Sequence, residues 1–455
     1  MSRVAHGARV NRHRLSIAAW ATLVVALGSG SGPRVFAQSG AGAHWVGTWT
    51  NAVVARSPFG AAPQGQPPAP SLGPQVPPAP EPVVNFNNQT LRQIVHVTIG
   101  GERLRVVFSN AFGTTPLTIG AAHVALRDKD AAIVPGSGRA LTFDGKPGGV
   151  VPEGAVWVSD PVDVHVPAFA DLAIDLYLPK DTSAAPLSPL TTHPASWQTN
   201  YVSPGGNHVG VPMMPVQTTT EYKRADGTLT SSWFYLSRVE VMAPASTGAI
   251  VAFGDSITDG THSGINANHR WPNHLARRLA AAKIPLAVLN AGIGGNRVLS
   301  YGGSISALAR FERDVLVQPG ATHLIVMEGI NDIGGALADP SPSAADLIAG
   351  HRQIIARARA RGLKVYGATL TPFEGAFYWT PQGEAKRRAL NEWIRTTKEY
   401  DGVFDFDAVV RDPSAPTKLL PRFDPGDHLH PNPAGYEAMA NAIDLSLFRA
   451  GARRK

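Results

Sequence analysis

The stretch that decides the fold lies at residues 249–260 and reads AIVAFGDSITDG. Its first five residues are apolar or small, and they lead directly into Gly254, Asp255 and Ser256. A continuous apolar run that ends in glycine predicts a strand buried on both faces. In an open α/β sheet, functional side chains collect just beyond the carboxyl ends of such strands. We therefore expect Ser256 to stand at the edge of a sheet, where the neighbouring glycine lets other groups approach closely.

Strands and helices alternate after Pro244. The predicted strands and helices, in chain order, are 249–253, 270–282, 286–289, 304–317, 324–327, 343–361, 363–369, 383–398, 403–406 and 433–448. Ser343 followed three residues later by Asp346 predicts a helix start, and Gly362 predicts its end. Alternation of this kind predicts right-handed crossovers and a five-stranded parallel sheet. We assign residues 245–455 to an α/β domain that is doubly wound and flavodoxin-like.

The segment before this domain has the pattern of an all-β protein. Short apolar or alternating runs, such as 91–99, 104–108 and 172–178, are separated by turn residues. Residues 38–244 are therefore predicted to form an antiparallel β-sandwich, with 44–56 as one of its strands. Ten prolines lie between Pro58 and Pro82. Because proline cannot donate to a sheet ladder, residues 57–84 are predicted to form an extended surface loop.

The first 37 residues read as a secretory signal peptide. A basic start is followed by the apolar stretch 15–27 and by Val35-Phe36-Ala37. The apolar stretch is too short for a stable membrane span, although an uncleaved N-terminal anchor remains the alternative. We expect cleavage after Ala37 and a secreted or periplasmic product with no membrane attachment.

Charge and cysteine content exclude several classes of function. The formal net charge is +7, but residues 1–37 carry five arginines and no acid, so the remainder is close to neutral. Nucleic-acid binding therefore gains no support. The chain has no cysteine, which excludes disulfides, thiolate metal sites and a thiol nucleophile.

Four groups of residues supply what a serine needs for acyl transfer: a nucleophile, a base, a group that orients the base, and donors for the oxyanion. Three of the groups follow successive predicted strands and the fourth precedes the last helix. They are Ser256, the glycine-rich stretch 292–296, the stretch 329–332 with Asn331, and the stretch 427–430 with its aspartate and histidine. A single serine after a strand is usually only a helix cap. The joint occurrence of the four groups, three of them at successive strand ends, favours a hydrolase.

In these motifs the sequence resembles the SGNH, or GDSL-type, hydrolases over residues 249 to about 448. The matching motifs are Gly254-Asp255-Ser256, Ile293-Gly294-Gly295-Asn296, Gly329-Ile330-Asn331-Asp332 and Asp427-His428-Leu429-His430-Pro431. The resemblance implies that Ser256 is the nucleophile, His430 the general base and Asp427 the residue that orients it. It also implies an oxyanion hole formed by the N–H groups of Ser256 and Gly295 and the side-chain amide of Asn331. Gly294 remains the alternative to Gly295.

Further residues are expected to border the same site. The candidates for substrate binding are Asn296, Arg297, Trp379 and His428, while His262, Phe377 and Tyr378 lie in loops near the predicted pocket. His428 and His430 beside Asp427 also raise the possibility of a metal. Because no supporting carboxylate ligand is evident elsewhere, we expect neither a metal nor another cofactor.

The resemblance implies a secreted esterase that acts on a small-molecule or polysaccharide ester, most simply one with a short acyl group such as acetyl. A lysophospholipase or aryl esterase of the same family is an alternative, and so is transfer of the acyl group to a sugar hydroxyl. A non-catalytic carbohydrate-binding protein is a further alternative. Five tryptophans between residues 38 and 244 could form a carbohydrate platform or the core of the sandwich: Trp45, Trp49, Trp157, Trp197 and Trp233. The sequence does not give the oligomeric state.

Overall fold

The structure is a computed structural model that describes residues 42–56, 85–224, 227–334 and 341–449. Two predicted features lie outside these residues. They are the signal peptide at 1–37, with its cleavage site after Ala37, and the proline-rich loop at 57–84.

The described residues up to Pro244 are mostly β-strands. In chain order the strands are β1 (Ala43–Thr50), β2 (Val54–Arg56), β3 (Gln89–His96), β4 (Gly101–Ser109), β5 (Leu117–Ile119), β6 (Ala121–Leu126), β7 (Arg139–Leu141), β8 (Gly149–Val151), β9 (Val156–Val158), β10 (Val162–Val166), β11 (Asp171–Leu178), β12 (Leu190–His193), β13 (Tyr201–Gly205), β14 (Thr218–Thr219), β15 (Tyr222–Lys223), β16 (Leu229–Thr230), β17 (Trp233–Phe234) and β18 (Leu236–Pro244).

Two large antiparallel sheets form the predicted sandwich. One has the order β1-β18-β4-β10, with β9 also paired to β4, and the other has the order β14-β13-β3-β11-β6-β7. Their inward-facing residues, among them Leu91, Val106, Ile174 and Val241, bury one common core. The prediction of an all-β sandwich is confirmed.

The predicted strand at 44–56 is two strands in different sheets. β1 pairs with β18, whereas β2 pairs with β12 in a small third sheet. Trp49, Trp197 and Trp233 are buried, and Trp49 meets Trp233 edge to face with ring centroids 4.9 Å apart. These three tryptophans are therefore core residues rather than an exposed platform.

The part that follows alternates strands and helices. Its elements are β19 (Gly248–Gly254), α1 (Ser256–Asp259), α2 (Trp271–Ala281), β20 (Leu286–Gly292), α3 (Ala307–Phe311), β21 (Ala321–Met327), α4 (Ile330–Gly334), α5 (Ala344–Arg359), β22 (Lys364–Ala368), α6 (Pro381–Thr396), β23 (Gly402–Phe404), α7 (Phe406–Val410), β24 (Arg411–Asp412), β25 (Ala415–Leu419) and α8 (Pro433–Asn441). Five of these strands form one sheet in the order β20-β19-β21-β22-β23, and every neighbouring pair is parallel. The predicted five-stranded parallel sheet is confirmed.

Two predicted helices are interrupted. The helix expected at 304–317 is the short α3 followed by a π-helical turn, Glu312–Leu316, and the helix expected at 433–448 stops at Asn441 before a separate 3-10 turn, Leu445–Phe448. Asp444 caps that last turn by accepting the Ser446 N–H, which starts a new helical segment. The predicted cap of α5 is present as a reciprocal pair of hydrogen bonds between Ser343 and Asp346.

The sandwich lies against the outer strand of the parallel sheet. The N–H of Val288 in β20 donates to the Thr98 hydroxyl at 3.2 Å, and the N–H of Gly47 in β1 donates to the carbonyl oxygen of Pro319 at 2.9 Å. A Cβ added to Gly47 would lie 2.9 Å from the Leu289 side chain, so β1 approaches β20 closely because it has glycine there.

Candidate active site

Ser256 is the first residue of α1, and one residue, Asp255, separates it from the end of β19 at Gly254. Asp255 caps the helix, its Oδ1 accepting the Ile257 N–H at 2.9 Å. Glycine is required at 254 because a Cβ there would lie 2.6 Å from the carbonyl oxygen of Met327. Ser256 as a whole residue is 6% exposed, and its hydrogen bond to His430 is buried.

His430 joins Ser256 to Asp427. Its Nε2 lies 2.8 Å from Ser256 Oγ, and its Nδ1 lies 2.5 Å from Asp427 Oδ2. Asp427 Oδ1 accepts the backbone N–H groups of Leu429 and His430, both at 3.0 Å. Because a carboxylate only accepts, the neutral imidazole carries its proton on Nδ1 and leaves Nε2 to accept the Ser256 hydroxyl proton.

The surroundings of this pair favour a neutral histidine beside an ionised aspartate. Burial lowers the pKa of His430 from its ordinary value, although the neighbouring Asp427 acts in the opposite direction. Burial alone would raise the pKa of Asp427, but hydrogen bonds from His262 and His430 outweigh it and hold this pKa far below its usual range. The charge state therefore suits a histidine that acts as a base near neutral pH.

The three predicted oxyanion donors follow three neighbouring strands. Gly254 at the end of β19 lies opposite Gly292 of β20 and Met327 of β21, so the three strands end at one level. Consequently the segments after β20 and β21, which carry Gly295 and Asn331, flank Ser256. Among the described residues, the backbone N–H groups of Ser256 and Gly295 have no hydrogen-bond acceptor. Both are therefore available to a substrate oxygen.

The side-chain amide of Asn331 is held by two neighbours. Its Nδ2 donates to the carbonyl oxygen of Asn296 at 3.0 Å, and its Oδ1 accepts from the Tyr378 hydroxyl at 3.4 Å. One N–H of the amide remains for another acceptor. Gly295 has φ of +70°, in the region that favours glycine, whereas a Cβ on Gly294 would meet nothing within 4 Å. Glycine at 295 is thus required by the backbone.

Two of the predicted substrate-binding side chains are used for structure. Asn296 is fully buried, with Nδ2 donating to the Ile305 carbonyl at 2.9 Å and Oδ1 accepting from Arg310 at 2.8 Å. His428 is half-exposed and lies 2.5 Å from Asp424 through its Nδ1, so its partner is not Asp427. Among the described residues, neither side chain has a hydrogen bond to the Ser256 hydroxyl, and a role for them in substrate binding stays a prediction.

The other two predicted binding residues lie in loops after the parallel strands. Arg297 is 8% exposed and follows the glycine-rich stretch after β20. Trp379 follows β22, is half-buried and packs against the core of the α/β part. Near it, Phe377 is 71% exposed and meets the buried Tyr378 edge to face with ring centroids 4.5 Å apart. Phe377 is therefore the large apolar side chain that this loop offers to solvent.

Arg310 holds the ends of β19 and β20 together through hydrogen bonds. It is fully buried and donates to the carbonyl oxygens of Gly254 at 2.9 Å and Ala291 at 2.7 Å. It also donates to Asn296 Oδ1 at 2.8 Å and to Glu328 Oε1 at 3.2 Å. One guanidinium group thus joins the ends of β19 and β20 to the residue after β21, because its five N–H groups fan out in a plane.

Three buried acids lie close enough to interact electrostatically with one another. Burial raises the pKa of Asp255 to about 7, that of Asp332 to about 6 and that of Glu328 well above its ordinary value. Asp332 accepts the backbone N–H groups of Val298 at 2.7 Å and Leu299 at 3.1 Å. We interpret Asp255 and Asp332 as residues that hold the loops around Ser256.

His262 makes a contact with Asp427 that the sequence does not predict. Its Nε2 lies 3.1 Å from Asp427 Oδ2, across 165 residues of sequence. Asp427 therefore accepts from two imidazoles. His262, Asp427 and His430 have potential metal-ligand atoms within 4.8 Å of one another. Hydrogen bonds within the trio already use the Nε2 of His262 and the Nδ1 of His430.

The β-sandwich also reaches the active site. His193 in β12 lies 3.0 Å from Asp259 Oδ1 through Nε2 and 2.8 Å from the carbonyl oxygen of Ala52 through Nδ1. Since Asp259 is the last residue of α1, this buried contact holds the helix that begins with Ser256. Thr228, which precedes β16, lies 3.5 Å from His262 Nδ1 through its hydroxyl oxygen.

Comparison with known proteins gives one family model and several solved structures that match part of the chain. The model of the GDSL-like lipase/acylhydrolase family matches residues 252–438. A GDSL-like lipase from Bacteroides thetaiotaomicron is 18% identical with a TM-score of 0.33, and the match covers 44% of this chain and 87% of that one. An α/β-hydrolase from the metagenome of Lake Arreo is 22% identical with a TM-score of 0.34, covering 44% and 94%.

A catalytic mutant of an acetylxylan esterase from Geobacillus stearothermophilus is 21% identical with a TM-score of 0.35, and the match covers 45% of this chain and 94% of that one. A search of curated proteins found no match. The family match includes the serine, the glycine-rich stretch, the asparagine and the Asp-His pair whose geometry is described above. Residues 252–438 of this chain are therefore similar to the GDSL-like lipase/acylhydrolase family.

Proposed function

We propose that this protein is a secreted serine esterase that hydrolyses carboxylic esters through an acyl-enzyme. The observation that carries the proposal is the continuous hydrogen-bonded series from Ser256 Oγ to His430, at 2.8 Å, and from His430 to Asp427, at 2.5 Å. Such a series is what the activation of a serine hydroxyl requires.

In the first step, His430 Nε2 takes the hydroxyl proton of Ser256 while Oγ attacks the ester carbonyl carbon. The carbonyl oxygen becomes an oxyanion, which the N–H groups of Ser256 and Gly295 and the amide of Asn331 stabilise. The imidazolium of His430 is stabilised by Asp427. It then protonates the leaving alcohol oxygen, the C–O bond breaks, and the acyl group remains on Ser256.

In the second step, water takes the place of the alcohol. His430 removes one of its protons, and the hydroxide oxygen attacks the acyl carbon. Collapse of the second tetrahedral intermediate breaks the bond to Ser256 Oγ, which receives the proton back from His430. The carboxylic acid leaves, and the starting state is restored.

We infer that the acyl group is short, with acetyl as the simplest case, on a carbohydrate or small molecule. The support is the narrow approach to the reacting groups, since Ser256, His430 and Asn331 are only 6%, 7% and 8% exposed. A small acyl group needs less room beside these residues than a long chain does.

The first experiment replaces the nucleophile. Ser256→Ala is expected to abolish hydrolysis of p-nitrophenyl acetate while leaving the circular dichroism spectrum and melting temperature close to wild type. Ser414→Ala is the matched control, because Ser414 is an exposed serine of the same domain that hydrogen-bonds Asp412. Activity retained by Ser256→Ala would refute the assignment of the nucleophile.

The second experiment measures substrate range. Initial rates on p-nitrophenyl esters of increasing acyl length, on acetylated xylan and on a lysophospholipid should show a maximum at acetyl or propionyl. A maximum at long acyl chains would refute the short-chain proposal without affecting the nucleophile. A polyol added as acceptor would reveal transfer by a new ester product.

An aryl esterase is the second candidate, and Phe377 favours it. This side chain is 71% exposed and rests on Tyr378, whose hydroxyl contacts Asn331. An exposed aromatic ring beside the site could stack on an aryl leaving group. Phe377→Ala should then raise KM for phenyl acetate more than KM for ethyl acetate, and an equal effect on both would argue against this candidate.

Secretion is part of the proposal and rests on residues 1–37. No helix in the described part of the chain has the length and apolar character needed to cross a bilayer. Expression of the full chain in an exporting host, followed by N-terminal sequencing of the exported protein, should give Gln38 as the first residue. An intact N-terminus on membrane-bound protein would support the anchor instead.

A further inference from the structure

Asp427 serves two histidines through the same oxygen. Its Oδ2 lies 2.5 Å from His430 Nδ1 and 3.1 Å from His262 Nε2, and the two imidazole rings have centroids 5.8 Å apart. A Ser-His-Asp arrangement needs only the first of these contacts. The second histidine is therefore an addition that the proposed reaction leaves unexplained.

His262 holds an unfavourable backbone conformation at this position. Its φ is +65°, in the left-handed region that costs a non-glycine residue roughly 1–2 kcal/mol. The next residue, Ser263, donates its N–H to the carbonyl oxygen of Gly260 at 2.9 Å and so closes the turn. Side chains kept in strained backbone cluster at functional sites, where the surrounding structure maintains the strain.

The contact also fixes which nitrogen of His262 donates. Because Asp427 Oδ2 only accepts, a neutral His262 carries its proton on Nε2, and its Nδ1 faces the Thr228 hydroxyl at 3.5 Å. Among the titratable groups, Asp427 and His430 face this imidazole. The charge of Arg224, in the segment after β15, acts on His430.

We propose that His262 is a positioning residue that acts on His430 through Asp427. This inference rests on the proposed function, since it assigns a role within the same reaction. The hydrogen bond from His262 holds the carboxylate in the plane that His430 Nδ1 requires. It also takes part of the carboxylate's charge, so that His430 is less basic than it would be beside an aspartate with no second donor.

Removal of His262 should therefore have two separable effects. The carboxylate loses an anchor, which lowers kcat with little change in KM, because no contact to the substrate is lost. The basicity of His430 increases, because Asp427 no longer accepts a hydrogen bond from a second imidazole. The acid limb of the pH profile then moves to higher pH.

The test compares His262→Ala, His262→Gln and the control His269→Ala, an exposed histidine in the same loop. His262→Ala is expected to lower kcat on p-nitrophenyl acetate about tenfold, the effect of losing one hydrogen bond to a charged group. Its acid limb should move to higher pH, because Asp427 then interacts with His430 alone. Glutamine keeps a neutral donor and should restore most of kcat, and His269→Ala should match wild type.

A double-mutant cycle with Asp427→Asn identifies the route of the effect. If His262 acts through Asp427, then His262→Ala should cost much less in the Asp427→Asn background than in wild type. Equal costs in both backgrounds would overturn the proposal, as would an unchanged pH profile or a change confined to KM. Melting temperatures of all variants separate these outcomes from unfolding.

A chelator separates positioning from metal binding. Prior dialysis against EDTA should leave the activity of wild type unchanged, and loss of activity that Zn²⁺ restores would overturn the proposal in favour of a metal held by His262, Asp427 and His430. The proposed function fails by a different result, which is activity retained by Ser256→Ala. An inactive Ser256→Ala together with an additive cycle refutes only the role of His262.

Discussion

Replacement of Asn331 by alanine separates catalysis from stability at one residue. The amide makes two contacts, one from Nδ2 to the Asn296 carbonyl at 3.0 Å and one from the Tyr378 hydroxyl to Oδ1 at 3.4 Å. These contacts fix the plane of the amide and leave one N–H for the oxyanion. The substitution removes this preorganised donor while leaving Ser256, His430 and Asp427 in place.

The expected magnitudes follow from this geometry. An oxyanion donor contributes about 2.7–4 kcal/mol to the transition state, which corresponds to a fall in kcat of about 10²–10³. The free energy of unfolding should fall by only about 1–2 kcal/mol, because the lost bonds are neutral and one of them is long. KM should change little, since the donor acts on charge that develops in the transition state.

Three variants test the reasoning with p-nitrophenyl acetate kinetics and urea unfolding. Asn331→Asp keeps the size but replaces the donor by acceptors and a charge, so it should be at least as impaired as Asn331→Ala. Tyr378→Phe removes the orienting hydroxyl and keeps the amide, so it should lose less than about fivefold. A fall in kcat of less than about tenfold for Asn331→Ala would refute its role as an oxyanion donor.

Three further predictions concern the groups around the serine. Neutral His430 is the active form, and burial lowers its pKa, so kcat/KM should rise with pH along an acid limb whose midpoint lies below the ordinary imidazole value of about 6.5. Initial rates from about pH 4 to about pH 8 measure this midpoint. A midpoint above the ordinary value would contradict the assignment of His430 as the base. Arg310→Leu should lower the free energy of unfolding by roughly 3–5 kcal/mol, because it leaves Glu328 and two carbonyl groups buried without their partner. Urea titration measures this loss. A loss below about 1 kcal/mol would show that Glu328 is protonated and that stability does not depend on Arg310. Gly295→Ala should lower the free energy of unfolding by about 1–2 kcal/mol, because residue 295 has a φ of +70°. It should also lower kcat, because the backbone N–H of residue 295 is displaced. Unchanged stability and rate would favour Gly294 as the oxyanion donor.

The fold was predictable because its signals are local. Five apolar runs followed by helical segments determine a parallel sheet, and the capping pair of Ser343 and Asp346 marks a helix start within four residues of sequence. The interruptions were not predictable in the same way. The π-helical turn at Glu312–Leu316 begins two residues after the buried Arg310. Arg310 hydrogen-bonds to the ends of parallel strands that are distant in sequence, and no periodicity within its own segment reveals these partners.

The arrangement of the active site was predictable only in part. Short motifs identify Ser256, Asn331 and the Asp-His pair, because each motif is contiguous and follows or precedes a recognisable element. The contact between His262 and Asp427 joins residues 165 positions apart and leaves no local pattern. The assignment of Asn296 to substrate binding stays a prediction, and its buried side chain is occupied by Arg310 and Ile305.

The tryptophans show why composition alone left two alternatives open. Trp49, Trp197 and Trp233 are equally compatible with a carbohydrate platform and a hydrophobic core when only the sequence is known. Their burial depends on the pairing of β12 with β17 and on the close approach of Trp233 to Trp49, which are set by the complete sandwich. No residue near them in sequence carries that information.

The contact between the sandwich and β20 determines whether the α/β part can be produced as a separate fragment. β20 is the outermost strand of the parallel sheet, and an exposed outer strand is a template for intermolecular pairing. Here Thr98 accepts the N–H of Val288, and β1 covers Leu289 through Gly47. A truncated protein that starts at residue 245 would expose this edge and the apolar surface beside it, and it would also lose the His193 contact to Asp259. Such a fragment should form insoluble aggregates on expression, so engineering of this protein has to begin from the two parts together.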